Sequence, residues 1–429
     1  MKPETNPGMK PETKSEKKPV VKPIHDSFTR LYDRALADLT ENLLPWWMTH
    51  AVDEEKGGFH GIIDNQNQPV VDAPKYITLH ARLVWTFSNA YRVLGDSAYL
   101  AMASRAYRYL IDHFWDEDFG GCFTQVDAAG RVLDDHKFIY GNAFALYGLS
   151  EYVRATGSAE ARDYADRLFN RLETHVYDPI NKGYFEACTR DWQVQPWLRG
   201  VNRVPTDEKT MNTHLHLIEA YTCYLRIRDI PQVRNKVREH LYVMLNKIVN
   251  HDIHHYHYFQ DRRWTPTSTA ISYGHDIEGS WLMMEAAEVL GEPEAYRAAR
   301  DTCVNMARAA LEEGLRADGA MLTDYDPVTR EASQHLSWWE QNEAVVGFLN
   351  AWELTQEEKF LDAAQLCFDY IDRHFIDHDG GGWFPILTLD GQPVPCRAKG
   401  NGTTCPYHNS RMSMEIIERY RRHRDAQGN

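Results

Sequence analysis

The chain has 429 residues, of which 43% are hydrophobic and 12% aromatic, enough to bury a large core and too apolar for a disordered protein. Its formal net charge of −15 excludes a phosphate-backbone partner, because nucleic-acid affinity rests on clustered Lys and Arg. Seven cysteines without CxxC spacing suit free thiols and a cytoplasmic location.

Residues 1–25, rich in Lys, Pro, Glu and Thr, with MKPET occurring twice, read as a disordered arm without the apolar core of a signal peptide. One catalytic domain is expected over residues 26–424, followed by a short tail, 425–429. No stretch is apolar for long enough to span a membrane.

A turn pattern then recurs: an acidic residue, a short gap, glycine and an aromatic. It reads clearly at Asp53–Phe59, Asp116–Phe123, Asp178–Phe185 and Asp377–Trp383, with weaker echoes at Asp252–Phe259 and Asp318–Leu322. The copies lie roughly 60 to 70 residues apart, room for two helices and their connections. Between them, LHARLVWTFSNAYRVLG, GNAFALYGLSEYVRATG, DIEGSWLMMEAAEVLG and EAVVGFLNAWELT are apolar on more than one face, as buried inner helices are. DSAYLAMASRAYRYLIDHFW and PEAYRAARDTCVNMARAALEE carry one apolar stripe and a charged face, as an outer ring does. The expected fold is therefore all-α, an (α/α)6 barrel of six helical hairpins in two concentric rings. An open solenoid is the alternative, but its repeats are usually shorter.

Three histidine-bearing segments stand beside inner helices: NTHLH at Asn212–His216, GHDIEGSW at Gly274–Trp281 and CPYHNSR at Cys405–Arg411. Neutral imidazoles converging on one pocket can pass protons near pH 7. Asn212 and His216 are four apart and share a helical face, whereas His214 and His216, two apart, cannot both point inward. Glu278, three residues beyond His275, could orient that ring, although an ion-pair role for Asp276 or Glu278 reads almost as well. Arg82, set among Leu79, Leu83 and Trp85, needs a partner in the pocket to offset the cost of burial. Trp338 and Trp339 next to Glu340 and Glu343 combine flat apolar faces with carboxylates, which suits a pyranose. His254, His255 and His257 read as a solvated aromatic hairpin, because no compact zinc-ligand set accompanies them.

Taken together, ARLVWTFSNAYR, MNTHLHLIEAY, GHDIEGSWL, SWWEQNEAVVGFLNAW and PYHNSR resemble the N-acylglucosamine 2-epimerase superfamily, and within it the cellobiose and mannose 2-epimerases, from about Phe28 to Arg422. The resemblance implies an (α/α)6 barrel and an isomerase that inverts C2 of a free aldose, or of the reducing end of a cellobiose-like or mannobiose-like disaccharide. It implies His275 and His408 as the acid/base pair and Arg82 on the oxygens of a cis-enediolate. Tyr140, Asn212, His216, Glu278, Trp339 and Glu343 are then expected around the sugar. No metal or other cofactor is expected, and no nucleotide, because a glycine-rich phosphate loop is lacking. The expected partner is a small sugar, with neither nucleic acid nor membrane, and the protein a monomer or homodimer. Thr403 and Thr404 stand where cellobiose-type relatives usually carry tryptophan and lysine, which leans the expectation toward a monosaccharide. His80 replaces an asparagine common beside Arg82. An aldose–ketose isomerase, an inverting glycoside hydrolase using two of Asp276, Glu278, Glu340 and Glu343, and a non-catalytic sugar-binding protein are the competing readings.

Overall fold

A computed structural model describes residues 25–195 and 208–426. All of the expected arm but His25 lies outside the described residues. The helices, in chain order, are α1 (Asp26–Ala37), α2 (Leu44–His50), α3 (Ile77–Leu94), α4 (Ser97–Tyr109), α5 (Ile139–Thr156), α6 (Ala159–Arg171) and α7 (Met211–Ile227). They continue as α8 (Pro231–Val243), α9 (Tyr273–Leu290), α10 (Pro293–Ala309), α11 (Trp338–Thr355), α12 (Glu358–Tyr370) and α13 (Tyr407–Ala426).

Helices α3, α5, α7, α9, α11 and α13 each touch the next, and α13 returns to α3, so the inner ring is closed. Outside it, α4, α6, α8, α10 and α12 each pack on the inner helix that precedes them, while α1 packs on α13 and α12. The expected (α/α)6 barrel is therefore present, with its two chain ends meeting to complete the sixth pair. Burial follows the sequence pattern. In α3 nearly every residue from Ile77 to Ala90 is buried, whereas α4 buries only Tyr99, Ala103, Ala106, Tyr107 and Tyr109, a stripe at three-to-four spacing. The glycines after three inner helices, Gly95, Gly157 and Gly291, take the left-handed backbone that ends a helix, with φ of 82°, 72° and 66°.

Outer helices α4, α6, α8, α10 and α12 close in a π-helical turn, as in Leu110–Phe114 and Leu172–Val176, where the amides of Trp115 and Tyr177 reach the carbonyls of Leu110 and Leu172, whereas α1 runs through such a turn into α2. A short hairpin follows each of these turns at the barrel end where the inner helices begin. Side chains in the first turn of the inner helices clip four hairpins in place. Asn142 Oδ1 accepts from the amide of Cys122 at 2.8 Å, His214 Nε2 from Tyr184 at 2.9 Å, Asp276 Oδ1 from Tyr256 at 2.8 Å and Gln341 Oε1 from Met321 at 2.7 Å.

The repeated aspartate has a fixed partner that the sequence reading missed, a buried lysine that stands two residues ahead of the next inner helix in three repeats and farther ahead of it, before α13, in the last. Lys75 reaches Asp53 at 2.8 Å, Lys137 Asp116 at 2.9 Å, Lys209 Asp178 at 3.1 Å and Lys399 Asp377 at 2.6 Å. The two weaker echoes are out of register. The fourth hairpin pairs Val249 with Tyr256 and the fifth Leu315 with Met321, so Asn250 and Arg316, rather than Asp252 and Asp318, occupy the aspartate position. In both repeats the lysine is gone too, replaced by Ile271 and Leu336. Losing the pair as a unit is physically sensible, because a buried charge left alone costs about 3–5 kcal/mol.

Candidate active site

All six inner helices start at the hairpin end, so their partially positive N-termini converge on one mouth. A cavity of about 700 Å³ opens there, lined by Tyr76, Thr78, Gln125, Tyr140, Asn212 and Tyr258 among others. Of the expected residues Tyr140 and Asn212 line this cavity, and the whole set occupies two levels along the inner helices. The first turn supplies Tyr140 from α5, Asn212 from α7, His275 from α9, Trp339 from α11 and His408 from α13. One turn deeper lie Arg82, His216, Glu278 and Glu343, each the sixth residue of its helix. The four-residue steps Asn212 to His216 and Trp339 to Glu343 keep both levels on the same face.

His275 and His408 both pack on one aromatic ring: the centroid of Trp339 is 4.6 Å from that of His275 and 5.6 Å from that of His408. His275 Nδ1 is 2.8 Å from Ser272 Oγ, and His408 Nδ1 is 2.7 Å from Glu343 Oε1. Each ring thus has Nδ1 occupied and Nε2 without a protein partner among the described residues. Burial makes protonation of both rings costly, holding His275 at about 3 and His408 well below the usual histidine range. The charges of Arg82 and Arg411 lower His408 further. Both rings are therefore neutral at pH 7, the form a base requires.

Arg82 is 2% exposed and has no carboxylate partner among the described residues. Its guanidinium donates to Tyr140 Oη at 2.7 Å and to the Thr403 carbonyl at 3.2 Å, lies 4.1 Å from the centre of the Phe144 ring, and keeps an unpartnered Nε. A guanidinium in that state retains unspent charge for an oxyanion. His216 packs on Tyr140 and Phe144, with ring centroids 5.1 and 4.6 Å away, and its Nδ1 is 3.0 Å from Glu219 Oε2.

Under this floor lies a network that sequence reasoning missed, centred on Arg411. Its guanidinium donates to Glu278 Oε1 at 2.5 Å, to Glu343 Oε1 at 2.6 Å, and to Glu219 and the Tyr407 hydroxyl. Trp281 Nε1 donates to the other oxygen of Glu343 at 3.0 Å. One cation cannot neutralise three carboxylates, and burial accordingly raises Glu278 well above the carboxylate range and Glu219 to about 7. Arg411 stood in the CPYHNSR segment, where the only available signal was its spacing of three from His408. The expectation that Glu278 orients His275 is corrected here: Ser272 holds that ring, Glu343 orients His408, and Glu278 stands 4.0 Å from His408 Nδ1. Glu278, Glu343 and His408 offer three donor atoms within 4.8 Å of one another, but Arg411 already supplies the positive charge that a metal would bring.

Several candidates lie elsewhere. His255 is buried and pairs with Asp276 at 2.8 Å and with Glu313 at 3.3 Å, so the solvated-hairpin reading fails for that residue and the ion-pair reading holds for Asp276. His80 packs flat on Tyr109, with centroids 4.8 Å apart, rather than facing the pocket. Glu340, the third helical residue after Ser337 and so placed as in a capping box, is fully buried, and burial lifts it to about 8. Nor do the carboxylates suit an inverting hydrolase, because Glu278 and Glu343 share Arg411 instead of flanking a space for water.

The family model for N-acylglucosamine 2-epimerase matches residues 57–410. A cellobiose 2-epimerase from Bacteroides fragilis is 41% identical over 380 residues, covering 89% of this chain and 97% of the relative. The structure of the cellobiose 2-epimerase from Bacillus thermoamylovorans superposes with a TM-score of 0.87 at 34% identity, over 91% of this chain and 100% of that one. A D-mannose isomerase structure, 18% identical, shares the fold with a TM-score of 0.79 over 93% of this chain and 100% of that one.

Proposed function

The chain belongs to the N-acylglucosamine 2-epimerase family and is a sugar 2-epimerase, and we propose that it inverts C2 of a free aldose or of the reducing-end residue of a β-1,4-linked disaccharide, interconverting the glucose and mannose configurations. What supports a disaccharide is the cavity, which reaches from Tyr140 and Asn212 out to Tyr76 and Gln125, together with the cellobiose 2-epimerases among its relatives.

In this reading the opened aldose lies between His275 and His408. One neutral Nε2 takes the proton from C2, leaving a cis-enediolate; the negative charge of that intermediate lets the other ring take up a proton from solvent and pass it to the opposite face, and the first ring then returns its own proton to solvent. The thermodynamic gap between such a carbon acid and imidazolium is about 10 pKa units, or roughly 14 kcal/mol. Arg82 and the six converging helix N-termini stabilise the enediolate oxygens, and fixed geometry supplies much of the rest. Tyr140, Asn212 and His216 bind hydroxyls and Trp339 covers a C–H face. The free thiols, six of the seven buried, support a reducing, cytoplasmic setting, with the enzyme acting as a monomer or homodimer.

The observation that carries this reading is the pair of neutral imidazoles against Trp339, each with an Nε2 unpartnered among the described residues, near a buried guanidinium that has no carboxylate partner among them. Incubation with cellobiose, mannose and glucose in deuterated water, followed by proton NMR, should give the C2 epimer with deuterium at C2. A ketose as sole product would make the enzyme an isomerase, and release of free glucose from cellobiose would make it a hydrolase.

A further inference from the structure

Tyr76 sits at the rim of the barrel. It is 39% exposed, lines the cavity, and its hydroxyl has no partner among the described residues. Its backbone is nevertheless fixed: it pairs with Gln125 in a short antiparallel ladder and is the last residue before α3. The ring lies against Gly402, where a Cβ would come within 2.8 Å of it, so the glycine makes room for the aromatic at that spot. The next residue, Thr403, lends its carbonyl to Arg82. Tyr76 thus stands directly over the polar end of the catalytic floor.

The vertical scale is set by α3. Arg82 is six residues beyond Tyr76, which at 1.5 Å per helical residue puts it about 9 Å deeper. A pyranose held at C1 and C2 near Arg82 does not reach that far, and a second ring linked through O4 would. Beside Tyr76, the Gln125 carboxamide and the Thr78 hydroxyl also line the cavity and have no protein partner among the described residues. A flat apolar face with unspent polar groups at its edge matches a pyranose, which is apolar on its faces and polar around its rim.

We propose that Tyr76 is the stacking platform for the second, non-reducing sugar of a β-1,4-linked disaccharide, with Gln125 and Thr78 binding its hydroxyls. This rests on the reading of the site as a reducing-end epimerase. It gives the chain a distal subsite even though Thr403 and Thr404 provide no aromatic surface.

The test compares wild type with Tyr76→Ala and Tyr76→Phe, using cellobiose and glucose as ligands. Saturation-transfer NMR reads binding, and steady-state kinetics are run alongside. Tyr76→Ala should raise KM for cellobiose about 10-fold, the size of one aromatic stacking contact, with kcat and the constants for glucose unchanged. Tyr76→Phe should behave as wild type, because the ring face makes the contact. Saturation should reach the non-reducing ring in wild type and fade from it in Tyr76→Ala. Equal weakening of glucose and cellobiose, or no transfer to the non-reducing ring, would overturn the proposal. Should no sugar turn over, the epimerase reading fails, and binding still decides the role of Tyr76.

Discussion

Replacing His408 with Asn is expected to cut net epimerisation by about 10²–10⁴-fold, the usual worth of a positioned acid/base group, while C2 hydrogen of one of the two epimers still exchanges with solvent deuterium. The asymmetry follows from the geometry. In the proposed mechanism the two rings, both packed on Trp339, serve opposite faces of C2, so His275 alone can still remove and return a proton on its own side. Asparagine keeps a polar group near Glu343 and Arg411, so the buried network is not left with a cavity. Loss of exchange from both epimers would mean that His408 does more than serve one face. In wild type, kcat/KM should hold as pH falls through the ordinary histidine range near 6.5, because burial keeps His275 at about 3. Stability should change instead. A histidine whose folded pKa is depressed contributes stability that is fully present above about 6.5 and is lost as pH falls toward its folded value, since the unfolded chain takes up protons first. Thermal melts and rates across pH 4–7 should therefore separate, with the melting temperature falling before the rate does.

Arg82→Met should lower kcat by about 10²–10³-fold, the usual cost of deleting a single oxyanion donor, and yet leave the folded protein as stable as wild type or more so. Both halves come from the same fact. The guanidinium is buried with no carboxylate among the described residues to offset its desolvation, so deleting it orphans no opposite charge there. Arg411 is the contrasting case: removing it would leave Glu219, Glu278 and Glu343 facing one another without a cation, and Arg411→Met should unfold at markedly lower temperature. Arg82→Lys should recover only part of the rate, because a point charge cannot reproduce the planar fork. If Arg82→Met lost rate and stability together, Arg82 would be a structural residue.

The local content of this barrel is written plainly in the chain. A turn spaced at one helix pair, inner segments apolar all round and outer segments with a single stripe lead to two rings, because helical period and burial are properties of a few successive residues. The pairs Asn212/His216 and Trp339/Glu343 were legible for the same reason, being one turn apart. A sharper alignment of the repeats would have placed Arg82, His216, Glu278 and Glu343 on one level, each sixth in its helix. The two degenerate turns, Asn250 and Arg316, hid that register, as did the buried lysines whose loss accompanies them.

The pairings across the ring were a different matter. Arg411 meets Glu219 from 192 residues away and Glu278 from 133, and α1 closes the ring against α13 from the opposite end of the chain. No local pattern encodes such a meeting, so proximity in sequence points Glu278 toward His275 while the folded barrel gives it to Arg411. The sequence by itself determined that inner helices would carry imidazoles, a guanidinium and carboxylates toward a common axis. Only the tertiary structure decided which of them touch, because on that axis six helices bring their charges within a few ångströms and the partner is fixed by radial direction and depth rather than by distance along the chain.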